Sequence, residues 1–392
     1  MLHNRREHRE LSREQMENIL FIVVITVFAM LVRMLLFPFE SGDYHQFLRG
    51  WYEALKNNGG FAAVGMNIGD YMPTYLYFLA IFTYFPVSDL AAIKIISSVA
   101  DIILAVYVMK IVNLKYENKT YGVLAYTGIL FLPSVILNSA VWGQCDSIFT
   151  AALVACVYYF MQNKEDRAVT AFAIAFIFKL QAVFLAPLLL LLLLKRKVKL
   201  STFLIVPLVY FVSILPAVMM GRSLTGLLTV YFSQAGQYKM IAMFLPNLYT
   251  WLPENTPGYI SSAAVILAGG LVLISLFYFY RKKFTITNEV LVTLALFFAL
   301  FMPFILPHMH ERYYFLADIL SVIFAFYFPK KFYVPVVTVL SSTYAVCHNL
   351  FNTDFFSVQL LGVIMLLVLI SVAKHLVDLI KMNRIENEQV LI

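Results

Sequence analysis

Long apolar blocks separated by short polar clusters run through most of the chain. The first covers residues 19–37 and follows a basic leader, MLHNRREHRELSREQMEN. A run of about 20 apolar residues is enough for a helix to cross a bilayer. Further blocks lie at 90–112, 121–138, 148–161, 168–179, 180–194, 201–217, 259–280, 288–306, 313–328, 333–350 and 356–380. Together they predict an all-α polytopic membrane protein, a bundle of about twelve transmembrane helices. Between the first two blocks the chain turns polar. There Phe47, Leu48, Trp51, Tyr52 and Leu55 recur at helical spacing, which predicts an amphipathic juxtamembrane helix over residues 44–56 lying in the interface.

Residues 71–85 are apolar but short, with Asp70 and Pro73 at their start and Pro86 at their end. Their placement decides the topology. If they cross, the basic clusters at 115–119, 195–199, 281–283 and 329–331 all fall outside. If they lie in the interface or re-enter, all four fall in the cytoplasm, as the positive-inside rule requires. The second arrangement is adopted. It gives one integral domain over 1–392, with a cytoplasmic leader (1–18), an external loop carrying interfacial helices (38–89) and a cytoplasmic tail (381–392). The long polar leader fits an uncleaved first span. Arg33, near the outer end of that span, is expected to snorkel. The run 168–194 must turn back at Lys179, which predicts a re-entrant or tilted pair lining a cavity.

Composition narrows the function classes. Apolar residues make up 61% and charged residues only 13%, against roughly 25% charged in soluble domains. That excludes a soluble enzyme and a disordered scaffold. The net charge of +7 reflects clusters between spans, so it reports orientation and implies no nucleic-acid partner. Cys145, Cys156 and Cys347 are too few and scattered for a disulfide framework. Composition and the lack of an organellar signal point to a bacterial plasma membrane.

With the orientation fixed, unusual polar residues collect at the extracytoplasmic face. Asp43 and Asp70 bound the first external loop, and WGQCDSI brings Trp142, Gln144 and Asp146. FKLQ adds Lys179 and Gln181, and PHMHER adds His308, His310, Glu311 and Arg312. A loop over 219–258 adds Arg222, Gln234, Tyr238, Lys239 and Asn247, and its part around Gln234 to Asn247 could cover the site. Ionisable groups near hydrocarbon depth are costly and commonly mark a pathway or site. Bland roles also exist. Asp43 with Gln46 forms a capping-box pattern, Asp146 could cap the following span, Lys179 could snorkel, and Trp51 and Trp142 could be aromatic-belt residues. His308 and His310 could hold a metal, yet no closely spaced carboxylate pair accompanies them. No metal or other cofactor is called for.

SGDYHQFLRGW, WGQCDSI, FKLQAVFLAP and HMHERYYF, in that order, resemble the motifs of the C-type (GT-C) glycosyltransferase superfamily. The resemblance is to the glucosyltransferases that extend dolichol-linked oligosaccharide and to bacterial relatives of GPI mannosyltransferases. In this chain Lys179 and Gln181 are split by Leu180, and the His-x-His-Glu motif runs on into Arg312. The resemblance implies an inverting transfer of a sugar from a polyprenyl-phosphate donor, undecaprenyl in bacteria, to an acceptor hydroxyl of a glycan, glycolipid or protein. It implies Asp43 as general base. Arg312, Lys179, His310 and His308 are then expected at the donor phosphate. Asp146, Gln144, Trp142, Gln181, Asp70 and Glu311 are expected at the acceptor or sugar. Rival readings are a transporter or lipid flippase, which would commonly show internal repeats, and an extracytoplasmic acyltransferase, which would depend on a histidine instead of Asp43.

Overall fold

The computed structural model describes residues 13–235, 239–253 and 255–384. Most of the leader, Tyr238 and the end of the tail therefore lie outside the described residues. Helix α1 (Arg13–Leu36) leads to α2 (Arg49–Asn57) and α3 (Pro73–Phe82), then to α4 (Asp89–Lys115). Next come α5 (Thr120–Leu130), α6 (Pro133–Ile136), α7 (Asp146–Met161), α8 (Glu165–Phe176), α9 (Ala186–Leu194) and α10 (Ile205–Met219). Then α11 (Leu224–Ala235), β1 (Ala242–Met243), α12 (Gly258–Arg281), α13 (Asn288–Ile305) and β2 (Met309–His310) follow. Finally α14 (Phe315–Tyr327), α15 (Tyr333–Phe351) and α16 (Val358–Met382) complete the chain.

Seven helical stretches of the described residues are long and apolar enough to cross a membrane, or eight if 120–130 and 133–142 form one span bent by 47°. These are compatible with an integral membrane protein. The bend falls at Leu132–Pro133, where proline removes a backbone donor and restricts the residue before it. The other expected crossings fall on shorter helices: α7, the stretch Leu180–Leu194, α14, and α8 with 12 residues. Twelve residues rise only about 18 Å, short of a hydrocarbon core of about 30 Å. Length alone thus supports seven or eight crossings where the periodicity suggested about twelve.

The short helices lie where neighbours enclose them. Leu153, Leu191 and Leu320 have no exposed surface, and neither do Phe298 and Phe324 at the centre. Helices α1, α10, α12 and α16 instead turn large apolar side chains outward, among them Leu35, Leu208, Ile266 and Leu367. Side-chain caps start three of the long helices: Ser88 accepts from Ala91 N (3.2 Å), Thr287 from Val290 N (3.4 Å) and Ser357 from Leu360 N (3.3 Å). Each satisfies a donor that the first turn leaves open.

Two sets of contacts place the ends of the bundle. Lys94 Nζ donates to the carbonyls of Phe37 (2.9 Å) and Phe39 (2.5 Å), and Tyr44 Oη donates to Asp89 (2.7 Å). The segment between α1 and α4 therefore leaves and returns at one end, with α3 held there. Far along α4, Lys115 Nζ donates to the carbonyl of Tyr327, next to the 329–331 cluster. Lys195 reaches the carbonyls of Tyr280 (3.2 Å) and Lys282. The four basic clusters thus gather away from the 38–88 segment. Arg33 departs from expectation. It does not snorkel; its side chain is fully buried, with Nε 2.8 Å from Asp101 Oδ2. Ser139 and Ser147 donate to the same carboxylate, Leu130 O accepts from Arg33 Nη2 at 2.9 Å and Ala29 O from Nη1 at 3.2 Å.

Candidate functional site

Asp43 follows a tight loop pinned by Ser41, whose hydroxyl donates to Trp142 O (2.8 Å) and accepts from Tyr44 N (3.2 Å). The capping-box reading fails here. Asp43 has helical backbone and makes no side-chain cap bond, because its carboxylate is turned elsewhere. Oδ2 accepts from Trp142 Nε1 (3.1 Å) and Gln144 Nε2 (2.5 Å). Gln144 can reach it because Gly143 turns the chain at φ +80, a left-handed conformation that costs glycine little. Its backbone N–H is fixed on Asn138 O at 2.9 Å.

Arg312 stands opposite, in the turn after β2. Its Nη1 lies 4.0 Å from Asp43 Oδ2 and 3.3 Å from Glu311 Oε1, and its Nε lies 3.6 Å from Asp146 Oδ2. The guanidinium also sits over the Trp142 ring, 5.0 Å from its centroid. Three carboxylates hold Arg312 firmly charged, raising its pKa well above the ordinary range despite burial. Its Nε nevertheless has no hydrogen-bond partner. Asp146 pairs with the Lys179 ammonium and accepts from Asn138 Nδ2 (2.7 Å). Lys179 in turn donates to Gln144 Oε1 at 3.3 Å. A continuous polar chain runs Asp43–Gln144–Lys179–Asp146–Arg312.

Two cavities meet at this chain. The first, about 650 Å³, is lined by Asp43, Asp70, Gln144, Glu311 and Arg312, together with His348 and Asn349. The second, about 290 Å³, is lined chiefly by apolar groups, including Phe178, Val183, Phe184 and Leu306, with Lys179, Gln181 and His308 among its polar ones. Asp70, Tyr71, His310 and Arg312 line both. The parallel pairing of β1 with β2, Ala242 beside Met309 and Met243 beside His310, brings the 240–244 segment over the first cavity.

The expected site residues do converge, but several change part. Trp142 and Asp146, expected to contact an acceptor, are 1% and 3% exposed and line neither cavity. Trp142 is neither a belt residue nor a stacking platform; it holds Asp43 and backs Arg312. Asp146 begins α7 without capping it, because its oxygens serve Lys179 and Asn138. Lys179, at 5% exposure, does not snorkel. His308 belongs to the second cavity only, bonded to Ser261 Oγ and to Met240 O (2.7 Å), at φ +61. No group of three or more His, Cys, Asp or Glu among the described residues is arranged to hold a metal.

His310 lies beside Glu311, with Nδ1 3.8 Å from Oε2. Burial lowers its pKa below the ordinary value, an effect that the nearby Glu311 carboxylate only partly offsets. Burial pushes the Glu311 carboxyl up, but the neighbouring His310 and the Arg312 charge prevail and hold it below its ordinary value. Tyr71, His348 and Asn349 were missed by sequence reasoning. Asn349 Nδ2 reaches Glu311 Oε1 at 3.5 Å, and His348 stacks on Phe244 with ring centroids 3.4 Å apart. The polar pair HN near the end of an apolar block was the available signal. Neither a protein-family model nor a curated protein matches the chain.

Proposed function

We propose that the chain is an inverting glycosyltransferase of the GT-C type, using a polyprenyl-phosphate sugar at the extracytoplasmic face of a bacterial plasma membrane. With the short enclosed helices counted as further traverses, this topology would leave the four basic clusters in the cytoplasm and the cavities outside, in accord with the positive-inside rule. The observation that carries the reading is Asp43. Its carboxylate faces a cavity of about 650 Å³, is held by Trp142 and Gln144, and has a guanidinium 4.0 Å away.

In this reading the acceptor lies in the first cavity. Asp43 takes the proton of its hydroxyl as that oxygen bonds to the anomeric carbon. The bond from that carbon to the phosphate oxygen breaks on the opposite side, and its electron pair leaves with polyprenyl phosphate. One base and in-line displacement invert the anomeric configuration. Arg312 faces both cavities, so the leaving phosphate is placed beside it, where charge that develops in the transition state meets a fixed cation. Arginine also suits phosphate through its forked donors. The first isoprene units would lie in the more apolar second cavity, against Phe178 and Phe184. Lys179 and Asp146 act by fixing Gln144 and Arg312.

The purified full chain, incubated with a panel of labelled polyprenyl-phosphate sugars, tests this directly. Asp43→Asn keeps shape and polarity but removes the base, and turnover should fall by about 10²-fold or more. Turnover of Asp43→Asn at the wild-type rate would end the assignment.

A further inference from the structure

A third cavity, about 570 Å³, lies between the 65–70 loop and the start of α11. Its lining includes Asn67, Ser223, Thr229 and Ser233, and Arg222 is its cation. Arg222 is 9% exposed, and its buried Nη1 has no hydrogen-bond partner. Among the described residues no carboxylate forms an ion pair with it, unlike Arg33 and Arg312. A buried guanidinium without a counter-charge is costly, so a ligand that supplies the missing negative charge would be held strongly.

The surrounding backbone suits an anion too. Ser223 immediately precedes α11, its hydroxyl accepting from Gly226 N at 3.3 Å, so the positive end of a 12-residue helix opens on the same space. Gly65 makes the cavity possible. A Cβ at that position would stand 1.9 Å from Met220 O, so only glycine lets the two loops close around Arg222. Asp70 is the one carboxylate in the lining; its backbone carbonyl is held by the Gln234 amide.

The rim is apolar. Met219 is 81% exposed and Phe232 82%, and Leu224 and Leu228 are also exposed. A ligand with an anionic head and a hydrocarbon body fits both features. We propose that this cavity is a lipid-phosphate site, with the phosphate on Arg222 and the start of α11 and the tail lying along α10 and α11. The site is distinct from Arg312 and would stand even if the chain transferred no sugar.

Binding is read on the full-length protein in nanodiscs of neutral lipid, with two probes: farnesyl phosphate and dioleoyl phosphatidic acid. Arg222→Gln should weaken at least one of them by about tenfold or more, as loss of a charge-assisted forked contact implies, while Arg222→Lys should retain part of the affinity. Loss confined to farnesyl phosphate identifies an isoprenoid ligand, and loss confined to phosphatidic acid identifies a bilayer phospholipid. Should Arg222→Gln misfold, Thr229→Val with Ser233→Ala removes hydroxyls of the lining and should weaken the same probe. Wild-type affinity of folded Arg222→Gln for both probes overturns the proposal. Turnover plays no part in the assay, so its outcome is separable from that of Asp43→Asn.

Discussion

The molecule buries two arginine–carboxylate arrangements, and they differ in how completely their polar atoms are satisfied. Between α1 and α4, Arg33 and Asp101 are enclosed and share two serine hydroxyls and two backbone carbonyls. They line none of the three cavities described above. At the other arrangement Arg312 touches three carboxylates at 3.3–4.0 Å, leaves Nε unpartnered and faces two cavities. A saturated pair holds helices in register. An under-satisfied cation against open space keeps capacity for a ligand. Intramembrane charge by itself therefore does not mark function; incomplete satisfaction beside a cavity does.

The largest expected effect comes from breaking the closed pair. Arg33→Met leaves Asp101 buried without its cation and should cost roughly 3–5 kcal/mol of stability, measured by thermal unfolding in detergent. Activity per folded molecule should stay near wild type. If Arg33→Met lowered turnover while leaving stability intact, the two arrangements would not differ as argued. Arg312→Ala should act the other way. Donor affinity should fall by a factor corresponding to about 1.5–3 kcal/mol, the worth of a hydrogen bond to a charged group. Acceptor affinity should move little, and equal losses of both would remove Arg312 from the phosphate. Trp142→Phe keeps an aromatic ring behind Arg312 but deletes the donor to Asp43. A loss of about 1 kcal/mol in activation free energy is expected, seen in kcat more than in KM.

Much of this contrast could be read from the chain, though not all. Asp43, Gln144, Lys179 and Arg312 stood out because each is a polar side chain that interrupts or borders an apolar block, where its burial is costly. The fate of Arg33 did not, because a lone arginine near a span end reads the same whether it snorkels or meets an aspartate 68 residues away. Trp142 and Asp146 were located but misassigned, since nearness to a site does not say whether a side chain faces ligand or holds a neighbour. Two-residue strands carry no periodicity, so β1, over the first cavity, had no signature. Helix α14 has 13 residues where the apolar block spans 313–328, whereas α8 keeps the expected 12; both owe their apolar composition to enclosure by protein.

The smallest effect separates the two regions by pH, because only the cavity-facing one contains an imidazole. His310 is held below its ordinary value of 6.5, first by burial. Just below that value the unfolded chain takes up a proton that the folded chain still refuses. The unfolded state thus binds more protons, stability rises with pH across this window, and it is lost as pH falls towards the folded value. Glu311, held below 4.5, adds a loss of the same sign at lower pH. Melting temperatures of the detergent-solubilised protein between about pH 7 and pH 5 should therefore slope gently downward on acidification. His310→Gln should flatten that window and leave the steeper fall at lower pH in place. A slope in His310→Gln as large as in the wild type would assign the titration to another group and remove the imidazole from the comparison.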